Sequence, residues 1–220
     1  MSEQFQEHLT FRNELKKKLG TKLPGVEAQM KMVPAHRQQE MKLRNWKNKA
    51  RKAAVLICFY PDGKGEIHLT FIRRNEYDGV HSGQISFPGG GYEKEDRDLV
   101  HTALREAEEE TNIRETEVEV LGEITPVYIP PSNFIVNPVV GWTDRKPDFI
   151  PEVAEVQEIL NISINKLLSP SSRQNKDISH REFSMIQVPC FYIDGHVIWG
   201  ATAMMLSEML DVLGKIETGF

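Results

Sequence analysis

Two hydrophobic periodicities alternate along the chain. Phe5, Leu9, Phe11, Leu15 and Leu19 recur at helical spacing and stop at Gly20, so residues 4–20 predict a helix, followed by the turn "TKLPG". Residues 36–50 are basic and partly helical in pattern. The run "KAAVLICFY" then predicts a strand, "PDGKG" a turn, and "EIHLTFIRR" the returning hairpin partner. After "NEYDGVHSG" come a short strand, "QISFPGG", and a helix over about residues 98–112. "EVEVLGEITPVYI" alternates as a strand, "PPSN" turns the chain, and "FIVNPVVGWT" is a further strand. "VAEVQEILNISINKLL" joins a short strand or helical turn to a helix. "REFSMIQVPCFYIDGHVIWG" reads as two strands meeting at Asp194-Gly195, and "ATAMMLSEMLDVLGKI" as a closing amphipathic helix. Strands with helices outside them predict a mixed α/β fold without internal repeats.

At 220 residues the chain suits one catalytic-sized domain, expected over 49–213, with an N-terminal helical and basic extension (1–48) and a short tail (214–220). Its 40% hydrophobic and 27% charged residues argue against global disorder. The longest apolar runs fall well short of the ~20 residues needed to span a bilayer, and the polar N-terminus lacks a signal peptide's apolar region. A cytoplasmic protein with no membrane association is therefore expected. Cys58 and Cys190, each within an apolar run, read as reduced core thiols.

Net charge is −5, which gives no bulk affinity for nucleic acid but conceals an asymmetry. Residues 29–52 hold eight Lys/Arg against one acid, whereas residues 93–123 hold twelve acids against four bases. A polyanionic substrate held partly through a cation accounts for both.

The acidic density peaks in "FPGGGYEKEDRDLVHTALREAEEETNI". On a helix Leu99, Val100, Ala103, Leu104 and Ala107 share one arc, and Glu106 and Glu110 stack along its edge with Glu109 beside them. Glu108 points away. Such a run is either a solvated stripe or a cation site. Three carboxylates beside an apolar boundary repel one another unless a hard cation neutralises them, and Mg²⁺ takes oxygen ligands while keeping positions for phosphate. The preceding glycines allow backbone to approach a phosphate.

The stretch "REAEEETNI" resembles the R-E-U-x-E-E-x-G-U end of the Nudix box, U being a bulky apolar residue. Ala107 is small for U, and Asn112 stands in the glycine position, which suits a helix ending in the left-handed region. Counted from Gly91, the first acidic position falls on Arg97. Counted from Gly90, it falls on Asp96, with eight residues before Arg105, a longer spacing that resembles the coenzyme A pyrophosphatase branch. "HLTFIRRNEYDGVHSGQISFPGG" is similar to that branch's upstream signature, with Arg74, His81, Gly83 and Phe87-Pro88-Gly89-Gly90 at matching places and Gly79 where a basic residue is frequent. The resemblance spans about residues 49–213, with the box at about 90–113.

The resemblance implies a Nudix fold, a mixed β-sheet sandwiched between α-helices. It also implies an Mg²⁺- or Mn²⁺-dependent hydrolase that cuts the pyrophosphate of CoA and its derivatives. A broader Nudix pyrophosphatase acting on ADP-ribose, dinucleotides, oxidised nucleotides or capped RNA is the alternative. Glu106, Glu109 and Glu110 are the implied metal ligands, and Glu109, Arg105 and Glu106 the catalytic set. Glu109, or Glu152 or Glu155 outside the box, is the candidate base. Arg105 is i−4 to Glu109 and is read as its brace, and Asp96 as the helix N-cap or a partner for Arg105. Arg74, His81, Gly89 and Gly90 are the candidate substrate contacts, although Arg74 also reads as a surface hairpin arginine and His81 as a loop residue. Trp142 and Trp199 read as core rather than adenine-stacking, and Met204, Met205 and Met209 as core or the face of a homodimer.

Overall fold

Strand β1 (Arg51–Pro61) is buried on both faces over most of its length. Its side chains alternate between two cores. Ala53, Val55, Ile57 and Phe59 enter the larger one, while Ala54, Leu56 and Cys58 enter a smaller one beneath helix α3 (Leu99–Thr111). This is why "KAAVLICFY" is a continuous apolar run instead of an alternating one. The computed structural model describes residues 3–35, 38, 50–76, 83–180, 183–214 and 216. His81 and most of the basic segment 36–49 lie outside the described residues.

Among the described residues, eight strands form a mixed sheet around β1. Strand β1 runs parallel to β7 (Phe134–Trp142), with Arg51 opposite Phe134 and Phe59 opposite Trp142. On its other edge it pairs antiparallel with β2 (Ile67–Arg74) near one end and with β4 (Gly89–Gly91) near the other. The short β3 (Ile85–Ser86) and the longer β8 (Val156–Ser163) flank β2. Strands β5 (Glu119–Glu123) and β6 (Val127–Ile129) both pair with β7. A second, three-stranded sheet contains β9 (Arg173–His180), β10 (Phe183–Ile193) and β11 (His196–Trp199). Helix α5 (Gly200–Leu213) and helix α1 (Glu3–Leu19) cover the larger core, and α3 covers the smaller, so the sheet lies between helices as the mixed α/β expectation requires.

The differences from the sequence reading have local causes. Residues 119–129 form two strands, because the chain breaks near Pro126, which lacks an N–H for the ladder. Residues 156–163 are a full strand, leaving only the short helix α4 (Ile164–Leu168) behind them. Strand β9, "RQNKDISH", has no hydrophobic alternation to predict it; it is held by backbone pairing to β10. The turn between β10 and β11 is at Asp194-Gly195, both with positive φ (52° and 86°), as a two-residue hairpin demands.

Helix α5 is buried almost all round and not amphipathic. Met204, Met205 and Met209 are all core residues, and even Glu208 is fully buried. The Glu208 carboxylate accepts from Gly25 N (3.0 Å), Gln29 Nε2 (2.8 Å) and Thr125 Oγ1 (2.7 Å). Those bonds tie α2 (Val26–Met30) and the chain before it to α5. Helix α1 contributes Phe11, Leu15 and Leu19 to the larger core, with the Phe11 ring 5.9 Å from Phe59 and 6.0 Å from Trp142. Cys58 and Cys190 are buried free thiols.

Candidate active site

Helix α3 begins at Asp98, whose carboxylate accepts from His101 N at 2.8 Å, and ends at Asn112 in the left-handed region (φ 61°). Asp98, not Asp96, is therefore the N-cap. Asp96 is buried and engages Arg105 through two bonds, Nε to Oδ1 at 2.9 Å and Nη2 to Oδ2 at 3.1 Å. Arg105's hydrogen bonds hold the Asp96 carboxyl well below the usual carboxylate range against the effect of burial, with help from Glu93 N–H and the Thr102 hydroxyl. The same guanidinium reaches Glu106 (3.0 Å) and Glu109 (3.1 Å). Asp96 thus anchors an arginine that in turn orients two glutamates.

The glutamates do not share one environment. Glu110 is buried, accepts from Gly89 N at 2.7 Å, and lies 3.6 Å from the Arg74 guanidinium. Burial pushes its carboxyl up to about 7, opposed by Arg74 and the Gly89 N–H and reinforced by the charges of Glu106 and Glu155. Burial also raises Glu106, against Arg105's attraction, and the charges of Glu109 and Glu155 add to the rise. Glu109 is more than half exposed. Glu108 is exposed and accepts from Glu115 N (2.8 Å), bracing the helix end instead of facing the site.

Strand β4 sets the other wall. A Cβ built on Gly90 would lie 2.4 Å from the Glu106 carboxylate, and one on Gly89 (φ 153°) would lie 2.3 Å from Ala54 O. Glycine is therefore required for two different reasons: Gly90 makes room for Glu106, and Gly89 lets the backbone turn its N–H to Glu110. On its far side β4 borders a cavity of about 420 Å³ whose lining includes Arg74 and Gly89 to Gly91.

Of the sequence candidates, Glu106 and Glu110 face β4 together, with Arg105 behind them and Arg74 at the cavity edge. Glu109 stands apart, tied to Arg105. Outside the box, Glu152 N donates to Glu110 O and its side chain accepts from Ala154 N, so it shapes its own loop. Glu155 is the outside carboxylate whose charge acts on both Glu106 and Glu110. Trp142 is core, whereas Trp199 lines the cavity. The part of the site that sequence reasoning missed is this cavity wall, from the start of α5 and from residues 32–34, the latter carrying no recognisable motif.

A model of the NUDIX domain matches residues 50–183, more than half of the chain. This protein belongs to the Nudix family. Two relatives, both described as uncharacterized Nudix hydrolase NudL, agree. That of Photorhabdus laumondii is 35% identical over 159 residues, covering 72% of this chain and 83% of its own. That of Yersinia pestis (strain Pestoides F) is 36% identical over 159 residues, covering 72% and 78%. Among solved structures, the MutT protein of Methanosarcina mazei Go1 aligns with 76% of this chain and 98% of its own, at 18% identity and a TM-score of 0.47.

Nudix hydrolases act on nucleotide pyrophosphates and typically use divalent metal ions. The donor chemistry of this Nudix site fits such an ion: hard carboxylate oxygens, two of them raised by burial and by neighbouring carboxylate charge, with no cation nearer to Glu110 than Arg74 at 3.6 Å among the described residues. A separate group, Asp62, Glu66 and His68, brings potential ligand atoms within 4.8 Å of one another on the β1–β2 hairpin. Asp62 there is occupied in the turn, accepting from Lys64 N and Glu66 N. No described helix is long and apolar enough to cross a membrane.

Proposed function

We propose that this Nudix hydrolase cleaves the pyrophosphate bond of CoA and its derivatives into 3′,5′-ADP and the corresponding 4′-phosphopantetheine, with residues 49–213 as the catalytic domain. The observation that carries the reading is the pairing of buried Glu110 with Gly89 N–H and Arg74, beside Glu106, at the edge of a cavity large enough for an organic substituent. The CoA assignment is further supported by the spacing from Gly90 through Asp96 to Arg105 and by the upstream "HSGQISFPGG".

Glu106, Glu109 and Glu110 would hold Mg²⁺ or Mn²⁺. When bound, such an ion supplies Lewis-acid polarisation of the phosphoryl oxygens and offsets their charge. The protein's own groups do the rest. Arg105, anchored by Asp96, fixes Glu106 and Glu109 in position. Arg74 meets a phosphoryl oxygen at the cavity edge, and Glu155 orients the attacking water and takes its proton, the role that Glu109, bound to Arg105, is less free to fill. His81, Gly89 and Gly90 complete the substrate contacts, with Gly89 acting through Glu110.

The test is turnover of CoA, ADP-ribose, NADH, diadenosine polyphosphates and 8-oxo-dGTP at equal concentration with Mg²⁺ or Mn²⁺. CoA should rank among the best substrates by kcat/KM. A clear preference for ADP-ribose or a dinucleotide would replace this assignment with the broader pyrophosphatase.

A further inference from the structure

The cavity beyond β4 is apolar along its walls, where Met204, Met205, Ile129 and Val188 contribute. Serine and threonine side chains interrupt that surface. Ser86 Oγ and Ser132 Oγ are buried without a hydrogen-bond partner among the described residues. Thr202, only 6% exposed, brings a third hydroxyl-bearing side chain to the same wall. Buried hydroxyls are ordinarily bonded, and two unpaired ones beside one cavity, with Thr202 on its wall, mark places where a ligand's acceptors fit.

Thr202 stands in the first turn of α5, and Gly200 and Ala201 line the same cavity. The first N–H groups of a helix have no intrahelical acceptor, and no side chain caps these. A Cβ on Gly200 (φ 62°) would meet nothing within 4 Å, so the helix start opens onto free space. An aliphatic wall with spaced donors is the complement of a flexible chain that is largely hydrocarbon but carries carbonyl groups at intervals. The face of Phe134, a cavity residue, is taken by the Arg51 guanidinium 4.1 Å from its centroid, which disfavours a stacked base there.

We infer that this cavity is the specificity subsite for the non-nucleotide arm of the substrate, an amide-bearing aliphatic chain, with Thr202, Ser86, Ser132 and the start of α5 donating to its carbonyl oxygens. The inference rests on the CoA reading and adds the place where the arm is recognised, across β4 from the glutamates.

Dephospho-CoA and ADP-ribose share the ADP-pyrophosphate portion and differ in the arm, so the ratio of their kcat/KM values isolates it. The ratio in the parent protein tests the CoA reading. The change in that ratio on substitution tests the subsite. Ala201→Phe, which fills the cavity, should lower the ratio by about tenfold or more, chiefly through the KM for dephospho-CoA. Thr202→Val, nearly isosteric, should lower it by about threefold or more and keeps the test decisive if Ala201→Phe fails to fold by circular dichroism. Smaller changes in the folded variants overturn the subsite while leaving the CoA reading intact. A parent protein that hydrolyses ADP-ribose and not dephospho-CoA overturns both.

Discussion

Glu110 and Gly89 are joined by a 2.7 Å hydrogen bond from the glycine N–H to the carboxylate, in a site where that carboxylate is otherwise buried. One backbone donor and a guanidinium at 3.6 Å do not offset its burial, so its carboxyl titrates near 7 instead of its ordinary value of 4.5. Between these values the folded chain binds the extra proton, and stability falls as pH rises from about 4.5 to 7. The loss is at most about 3–4 kcal/mol. Thermal melts of the metal-free protein should show this decline, and Glu110→Gln should flatten it. Parallel curves for the two proteins would exclude Glu110 as the source.

The three consecutive glycines should separate on substitution by alanine. Gly89→Ala places a Cβ 2.3 Å from Ala54 O at a φ only glycine adopts easily, and should cost at least about 2 kcal/mol in denaturant unfolding. Gly90→Ala should fold, because the side chain it displaces is the end of Glu106, yet lose about tenfold or more in turnover. Gly91→Ala meets nothing nearer than 3.9 Å and should stay within about 0.5 kcal/mol of the parent.

Arg105→Ala leaves buried Asp96 without its cation and should destabilise the fold by about 3 kcal/mol, while also releasing Glu106 and Glu109. Asp96→Asn should cost less in stability but also reduce activity, since the guanidinium loses its anchor. A double-mutant cycle that returned additive effects would deny the coupling.

Glu155→Gln should lower kcat by about two orders of magnitude or more, with KM little changed, whereas Glu152→Gln should cost less than about tenfold. Stopped-time assays under saturating substrate distinguish them. If Glu109→Gln is the most damaging to kcat and Glu155→Gln is silent, the base lies within the box.

Deleting residues 1–20 removes Phe11, Leu15 and Leu19 from the larger core. At about 1.5–3 kcal/mol per fully buried side chain, the truncated chain should lose roughly 5 kcal/mol and unfold at much lower denaturant. Urea titration by tryptophan fluorescence reports this directly, because Trp142 sits against Phe11.

Elements with a strong pattern or local punctuation were legible. Helix α3 was bounded by Asp98 and Asn112, and the Asp194-Gly195 turn marked its hairpin. Strand β9 was not legible, since its pairing rests on backbone groups that any sequence supplies. At the site, the helical phase put Glu106 and Glu110 on one edge, but it could not reveal that Glu109 is exposed or that Gly89 N–H binds Glu110. Those depend on β4 lying against β1, a contact between distant parts of the chain. Residues 32–34 gave no signal, because a cavity wall is assembled from unrelated segments.

Strand β1 sends alternate side chains into two separate cores, one under the glutamate helix and one toward the cavity. The two halves are therefore insulated from each other by a single layer of backbone. Substitutions that reshape the cavity side can accumulate without shifting the helix that carries the carboxylates. A scaffold divided in this way can exchange one substituent preference for another over evolutionary time while its hydrolytic chemistry stays fixed.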